Sequence, residues 1–350
     1  MRFLLDPEQA EFGRTLDRML GAADTPSAVR AWAGGDPEPG RELWARIAEA
    51  GVFALAVPEA YEGVGVLPVE LALAFVELGR HAVPGPLVET AAAAVLLGGL
   101  ARDGGAAKEW LPRIADGRAA VSLGAGADGY LLDADVVDAA FLMEGSEVRS
   151  AAARGAFVES ADPARRLFRA EAGEVIAGDA APAVARATDL AALLTAAQSL
   201  GVGLELLRRT VEYVGRRRQF GVPIGSFQAV KHRLADALLG LEFARPLVFG
   251  AAVSLAGRDV AAAKVAAGEA AYRAARAALH LHGAVGYTEE LDLSLWLRKA
   301  RPLRDAWGTP AWCRARVVAA ECSSGAAGRA PYRSREEDSR EEDSREEDSR

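Results

Sequence analysis

The chain has 350 residues, 51% of them hydrophobic, with charges interspersed and a formal net charge of −8. That leaves room for two or three compact units around a large core. It excludes a basic nucleic-acid-binding surface. Cys313 and Cys322 are too few for a disulfide framework and lack metal-ligand spacing, so a reducing cytoplasm is the expected setting.

From the N-terminus, Met1 to Leu5 gives way at once to Asp6-Pro7, too short an apolar run for a signal peptide. Asp6 predicts an N-cap, with Pro7 at the first helical position and Gln9 completing a capping box. Apolar residues follow at helical spacing at Phe12, Leu16, Met19 and Leu20. A second helix is read through Leu43, Trp44, Ile47 and Ala48, stopping at Gly51. Residues 57–65 are Pro- and Gly-rich and read as a loop, followed by a helix from Pro68 that ends at Gly79-Arg80. From 119 to 178 the periodicity shortens. Segments 119–123, 130–137, 140–143, 156–159 and 166–170 predict a small β-domain. From 182 to 327 the chain is helical again, as three long amphipathic runs broken at Gly221-Pro223 and at Gly283–Gly286. No run is expected to span a membrane. The fold class is therefore mainly α with a small β-domain: helices over 1–117, strands over 118–180, a helical bundle over 181–328. The tail, 329–350, repeats Ser-Arg-Glu-Glu-Asp three times from Ser334 onward, a repeat without an apolar residue, and is expected to be disordered.

Several motifs carry chemistry. Gly124 to Gly129 fits G-x-G-x-x-G, but a dinucleotide site needs a helix to open directly after it. The strand-like Tyr130 to Val136 follows instead, so a β-turn is the better reading. His280 and His282 form a His-x-His pair with no third ligand, a weak metal signal. The densest stretch is Arg217-Arg218-Gln219-Phe220-Gly221-Val222-Pro223-Ile224-Gly225-Ser226-Phe227-Gln228. It sets a cation, two amides and two rings around a tight turn, which suits a pyrophosphate because a guanidinium fork binds two phosphate oxygens and stays charged. Read blandly, it is a helix–turn–helix corner with Phe220 and Phe227 in the core.

This stretch, with Lys231, Leu234, Ala235 and Asp236, closely resembles the R-x-Q-F-G-x-P-I-x-x-F-Q…K…L-A-D signature of the acyl-CoA dehydrogenases. Two further segments resemble the same family: Val57 to Gly65, with Glu62 at a usual glycine, and His280 to Glu289, with His280 at a usual Gln and Ala284 at a usual Gly. The resemblance implies an N-terminal helical domain, a middle β-domain and a C-terminal four-helix bundle. It implies FAD as cofactor and α,β-unsaturation of an acyl-CoA thioester, with electrons passed to a separate acceptor. It further implies FAD contacts at Arg217, Gln219, Phe220, Gln228, His280, Gly283, Ala284 and Thr309, most of them reaching a neighbouring subunit's cofactor. Asp189 falls where relatives place an Asp near the acyl chain.

The same resemblance exposes a gap. Counting from Tyr287 without interruption puts Trp307 at the family's catalytic glutamate, and the alternative helix-borne position falls on Ala191. The middle segment is also short and lacks the family's usual flavin-facing strands. These departures, beside a well-kept set of subunit-crossing residues, resemble members that work as heterotetramers in which a homologous partner supplies the base. A flavin-dependent monooxygenase and a flavin-free scaffold on the same fold are the alternatives.

Overall fold

A computed structural model describes residues 5–100, 105–127 and 129–328. The repeat tail lies outside the described residues. The N-terminal part contains α1 (Pro7–Gly21), α2 (Thr25–Ala33), α3 (Glu38–Glu49), α4 (Pro68–Arg80), α5 (Leu87–Gly99) and α6 (Gly105–Ala115). The Asp6 capping box forms: Gln9 N donates to Asp6 Oδ1 at 2.8 Å, and Asp6 N donates to Gln9 Oε1 at 3.1 Å. Past α3, Gly51 takes φ +79°, the left-handed stop its position predicts. α4 ends at Arg80, where the sequence places its end. In the 57–65 loop Glu62 holds φ +68° although it stands in place of a glycine. α5 is almost entirely buried, so it carries no one-sided apolar stripe for the sequence to reveal.

The middle strands are β1 (Val121–Ala125), β2 (Tyr130–Leu132), β3 (Ala139–Glu144), β4 (Glu147–Val158) and β5 (Leu167–Ala177). They form one sheet in the order β1-β3-β4-β5-β2, with β1–β3 parallel and the other pairs antiparallel. Three strand expectations differ from the structure. The segment 156–159 is only the end of the twelve-residue β4, and β5 runs seven residues beyond its predicted end at 170. Both strands are exposed on both faces over most of their length, so burial imposes no apolar alternation on them. The 130–137 segment yields only the three residues of β2. No helix follows the Gly124–Gly129 stretch, since β2 begins at Tyr130.

The C-terminal part comprises α7 (Ala181–Arg216), a short ribbon of β6 (Arg218–Gln219) and β7 (Val222–Pro223), α8 (Gln228–Ser254), α9 (Gly257–His282), α10 (Leu293–Asp305) and α11 (Pro310–Gly328). Helices α7 to α10 make the four-helix bundle, with α11 laid on α9. The two expected breaks occur. The second run is divided again at Leu255 (φ +48°), without Gly or Pro in the turn residue itself. There Ser254 Oγ accepts from Ala256 N at 3.3 Å and donates to Asp259 at 2.8 Å, a side-chain turn that competes with helix. The third run is divided at 306–309 between α10 and α11.

α7 and α8 are both long and apolar enough, by composition alone, to cross a membrane, which the sequence reading did not anticipate. For α7 the cause is burial, since 89% of its apolar window lies inside the protein. α8 is different. Leu239, Phe243 and Leu247 recur every four residues along it and are exposed.

Side chains join the three parts. Lys299 Nζ on α10 meets Asp162 Oδ2 after β4 at 2.8 Å, both groups buried. Trp296 Nε1 donates to Arg80 O at the end of α4 at 2.9 Å, and the Arg209 guanidinium lies 3.9 Å above the same indole. α4 crosses α7 closely. A Cβ on Gly79 would land on the Gln198 carbonyl oxygen, and one on Gly201 on the Val76 carbonyl oxygen. Gly201→Ala is therefore expected to destabilise the chain by about 1–3 kcal/mol through overpacking, read as a lowered urea midpoint with unchanged m. Gly215→Ala, which meets nothing on the same helix, should not lower it.

Candidate functional site

The Arg217–Gln228 stretch forms one end of the bundle. α7 stops at Arg217, whose backbone turns extended while its N–H still donates to Tyr213 O at 2.8 Å. The chain reverses through Phe220 (φ +52°) and Gly221 (φ +80°), pairs Gln219 with Val222, and returns as Ile224 N donates to Arg217 O at 2.8 Å. A simple corner would bury its rings. Phe220 is 92% exposed, touching Phe227 edge-on at 6.3 Å. Gln219 and Gln228 are exposed beside it, and no carboxylate among the described residues pairs with Arg217. An unpaired guanidinium, two amides and two rings are thus presented outward.

The second motif arrives at the same end on α9. His282 stacks on Tyr213, with centroids 4.1 Å apart and planes at 23°. Its Nδ1 donates to Ala278 O at 2.8 Å, and burial lowers its pKa, so the ring stays neutral. Tyr213 Oη donates to His282 O at 3.4 Å. Next, Gly283 turns at φ +63° with open space where a Cβ would stand, and Ala284 lies in the short 3₁₀ turn that follows. His280 and His282 do not converge: His282 lines a cavity with Arg217, whereas His280 lines another with Arg233, Arg273 and Arg276.

Thr309 sits elsewhere. Lys264 Nζ donates to the Leu303 and Arg304 carbonyls at the end of α10, which places the 306–309 turn near the start of α9. His280 is sixteen residues along the same helix, about 24 Å away. Thr309 does not join the Arg217 group. It caps α11, its Oγ1 accepting from Trp312 N at 3.3 Å.

In that turn Trp307 holds φ +53°, and its indole Nε1 donates to Glu89 Oε1 at 3.0 Å. Glu89 is 3% exposed, in the first turn of α5, where the helix N-terminus favours a carboxylate. An apolar cavity of about 450 Å³ opens nearby, bordered by Val95 and Gly99 of α5, Leu190 of α7 and Val253 of α8. Asp189 lies at its edge, bound to Arg316 Nη1 at 2.6 Å, with Arg186 beside it. Neither Trp307 nor Glu89 borders this cavity. Ala191 is fully buried.

With this geometry established, comparison with known proteins is informative. Residues 6–118 match the acyl-CoA dehydrogenase N-terminal domain and residues 181–321 its C-terminal domain. The chain belongs to the acyl-CoA dehydrogenase family. Among curated relatives, acyl-CoA dehydrogenase IpdE2 of Mycobacterium tuberculosis is 35% identical over 84% of this chain and 91% of its own length. Acyl-CoA dehydrogenase FadE34 of the same organism is 32% identical over 85% of this chain but 45% of its own. The solved ChsE4–ChsE5 complex of M. tuberculosis includes a chain 26% identical, with TM-score 0.77, covering 91% of this chain and 98% of that one.

The motifs pointed to Arg217, Gln219, Phe220 and Gln228, and the fold brings them to one surface with Gly283 and Ala284. What they did not show is how the two motifs are fastened. Tyr213 lies seven residues before Phe220, within the helical run, and only its contact with His282 reveals its role. Glu89 was missed for a similar reason, being distant in sequence from Trp307. Tyr213→Phe keeps the stack and loses one long hydrogen bond, so thermal stability should barely move. Tyr213→Ala should cost about 1.5–3 kcal/mol in chemical denaturation and separate the two motifs.

Proposed function

We propose that the chain is a FAD-dependent acyl-CoA dehydrogenase subunit that completes a cofactor site together with a homologous partner, the partner supplying the base. The observation that carries this reading is an asymmetry between its two ends. The Arg217 end is open, unpaired and displayed, whereas the position of the family's glutamate holds an indole hydrogen-bonded to buried Glu89.

The residues at the open end fit a dinucleotide. Arg217 would hold pyrophosphate oxygens as a fork, Gln219 and Gln228 would supply amides, and Phe220 a ring face. His280 would add a polar contact, while Gly283 and Ala284 would let backbone approach the cofactor. Thr309, at the opposite end, would serve this chain's own side. Bound FAD would supply the hydride acceptor, and its electrons would leave to a separate acceptor protein. At the other end, Asp189 and the apolar cavity would receive the acyl chain of the acyl-CoA. A proton α to a thioester needs a positioned base, an effect of about 10²–10⁴-fold. A tryptophan cannot act as that base. Two further observations favour a partner: the solved neighbour is a two-component complex, and α8 leaves Leu239, Phe243 and Leu247 uncovered. Relatives named for mycobacterial acyl-CoA dehydrogenases, and a solved neighbour titled a steroid acyl-CoA dehydrogenase, fit a lipid or sterol side-chain substrate. Unpaired Cys313 and Cys322 suit a reducing cytoplasm.

Purified alone, the chain should show negligible acyl-CoA-dependent bleaching of an electron acceptor. Turnover comparable to an ordinary family member would falsify the assignment of the base to a partner. In the assembled complex, Arg217→Ala should lower FAD affinity by about ten- to a hundred-fold without unfolding the chain, read from flavin absorbance after dialysis. Arg217→Lys should recover only part, because a point charge cannot make the bidentate contact.

A further inference from the structure

A second cavity, of about 590 Å³, lies between α4, α7 and α8 and shares no bordering residue with the acyl-sized one. Its walls are apolar: Leu73 and Val76 from α4, Leu200 and Leu204 from α7, Phe249 from α8. Its charged border is unbalanced, with Arg80, Arg208 and Arg245 set against the single carboxylate of Glu77. The other acids paired with these arginines, Asp17, Glu205, Glu212 and Glu242, do not border the cavity. A volume in this range suits one small ligand.

Glu77 is only partly ionised near neutral pH. Burial, with a smaller contribution from Asp17, pushes its pKa up to about 7 against the opposing pull of Arg80 and Arg245. The groups around it are Arg80 on α4, Asp17 on α1 with His81 bound to it at 2.9 Å, Arg208 on α7 and Arg245 on α8. Near neutral pH the cavity is bordered by three guanidiniums, each also ion-paired to a neighbouring acid, and by a carboxyl that is partly protonated. That is an environment for an anion with an apolar tail.

The cavity also stays clear of the uncovered stripe of α8. At 100° per residue, Arg245 and Phe249 lie on the side of the helix turned away from Leu239, Phe243 and Leu247. A partner covering the stripe would leave this cavity accessible.

We propose that the cavity between α4, α7 and α8 binds a free alkyl carboxylate, a fatty acid, with its chain along Leu73, Val76, Leu200, Leu204 and Phe249 and its carboxylate held by Arg80, Arg208 and Arg245. The proposal is independent of the FAD reading, because it uses neither the Arg217 surface nor the Asp189 cavity. Arginine suits the head group through its bidentate fit to a carboxylate, and enclosure of the tail supplies the apolar contribution.

Isothermal titration of dodecanoate into the full chain at neutral pH tests it, with dodecanol and dodecyltrimethylammonium as head-group controls below their aggregation limits. The expected result is saturable binding of one dodecanoate per chain, with both controls at least about tenfold weaker. Arg245→Glu, an exposed change, should weaken dodecanoate by about tenfold or more, and Leu204→Glu should abolish binding, with circular dichroism confirming the fold of each variant. Val253→Glu, placed in the other apolar cavity, should leave binding unchanged. Absence of saturable binding, equal binding of the alcohol or the cation, or loss with Val253→Glu but not with Arg245→Glu would each overturn the proposal.

Discussion

The burial of α7 is the constraint on which the rest of the structure depends. This 36-residue helix packs against α4 and α5 of the N-terminal part and against α8, α9 and α10 of the bundle. A helix surrounded on all sides must let several backbones approach it, and small residues make that possible. Gly201 admits α4, and Gly203 admits α8 and α9, where a Cβ would press on Leu241 and Ala271 respectively. Ala191, Ala192, Ala196 and Ala197 continue the narrow surface. Buried hydroxyls on this helix, Thr195, Ser199 and Thr210, donate to carbonyls one turn earlier and so satisfy themselves locally.

Because α7 is rigidly held along its length, its two ends are fixed relative to each other and can take different tasks. Its first turns carry Arg186, Asp189 and Leu190 to the edge of the apolar cavity. Its last turn carries Tyr213 to His282 and delivers Arg217 to the displayed surface. The same division appears in α9, which has Lys264 holding the carbonyls at the end of α10 and His280 at the other end. Burial lowers the Lys264 pKa to about 8, so this contact is that of an ammonium held by backbone dipoles at a helix C-terminus rather than a salt bridge.

The Trp307–Glu89 contact has a structural logic beyond catalysis. It links the α10–α11 turn to α5 across 218 residues of sequence, placing a neutral N–H donor on a carboxylate that is otherwise enclosed. An enclosed carboxylate without a donor is costly, so the two residues stabilise each other's position. A glutamate at 307 would face Glu89 as a like charge. The indole and the buried acid are therefore mutually compatible in a way that two carboxylates are not.

The sequence by itself determined the helical character of both ends, the capping box at Asp6, the stop at Gly51 and the Arg217–Gln228 turn. Each of these rests on local chemistry: a cap, a left-handed glycine or a contiguous motif. Tertiary structure alone decided the extents of β4 and β5, the division of α8 from α9, and the pairing of Tyr213 with His282 and of Trp307 with Glu89. A solvent-exposed hairpin imposes no apolar pattern, and the turn at Leu255 is set by a serine side chain rather than by glycine or proline. Contacts between residues far apart in sequence arise from how helices pack around α7, and no short-range pattern encodes them.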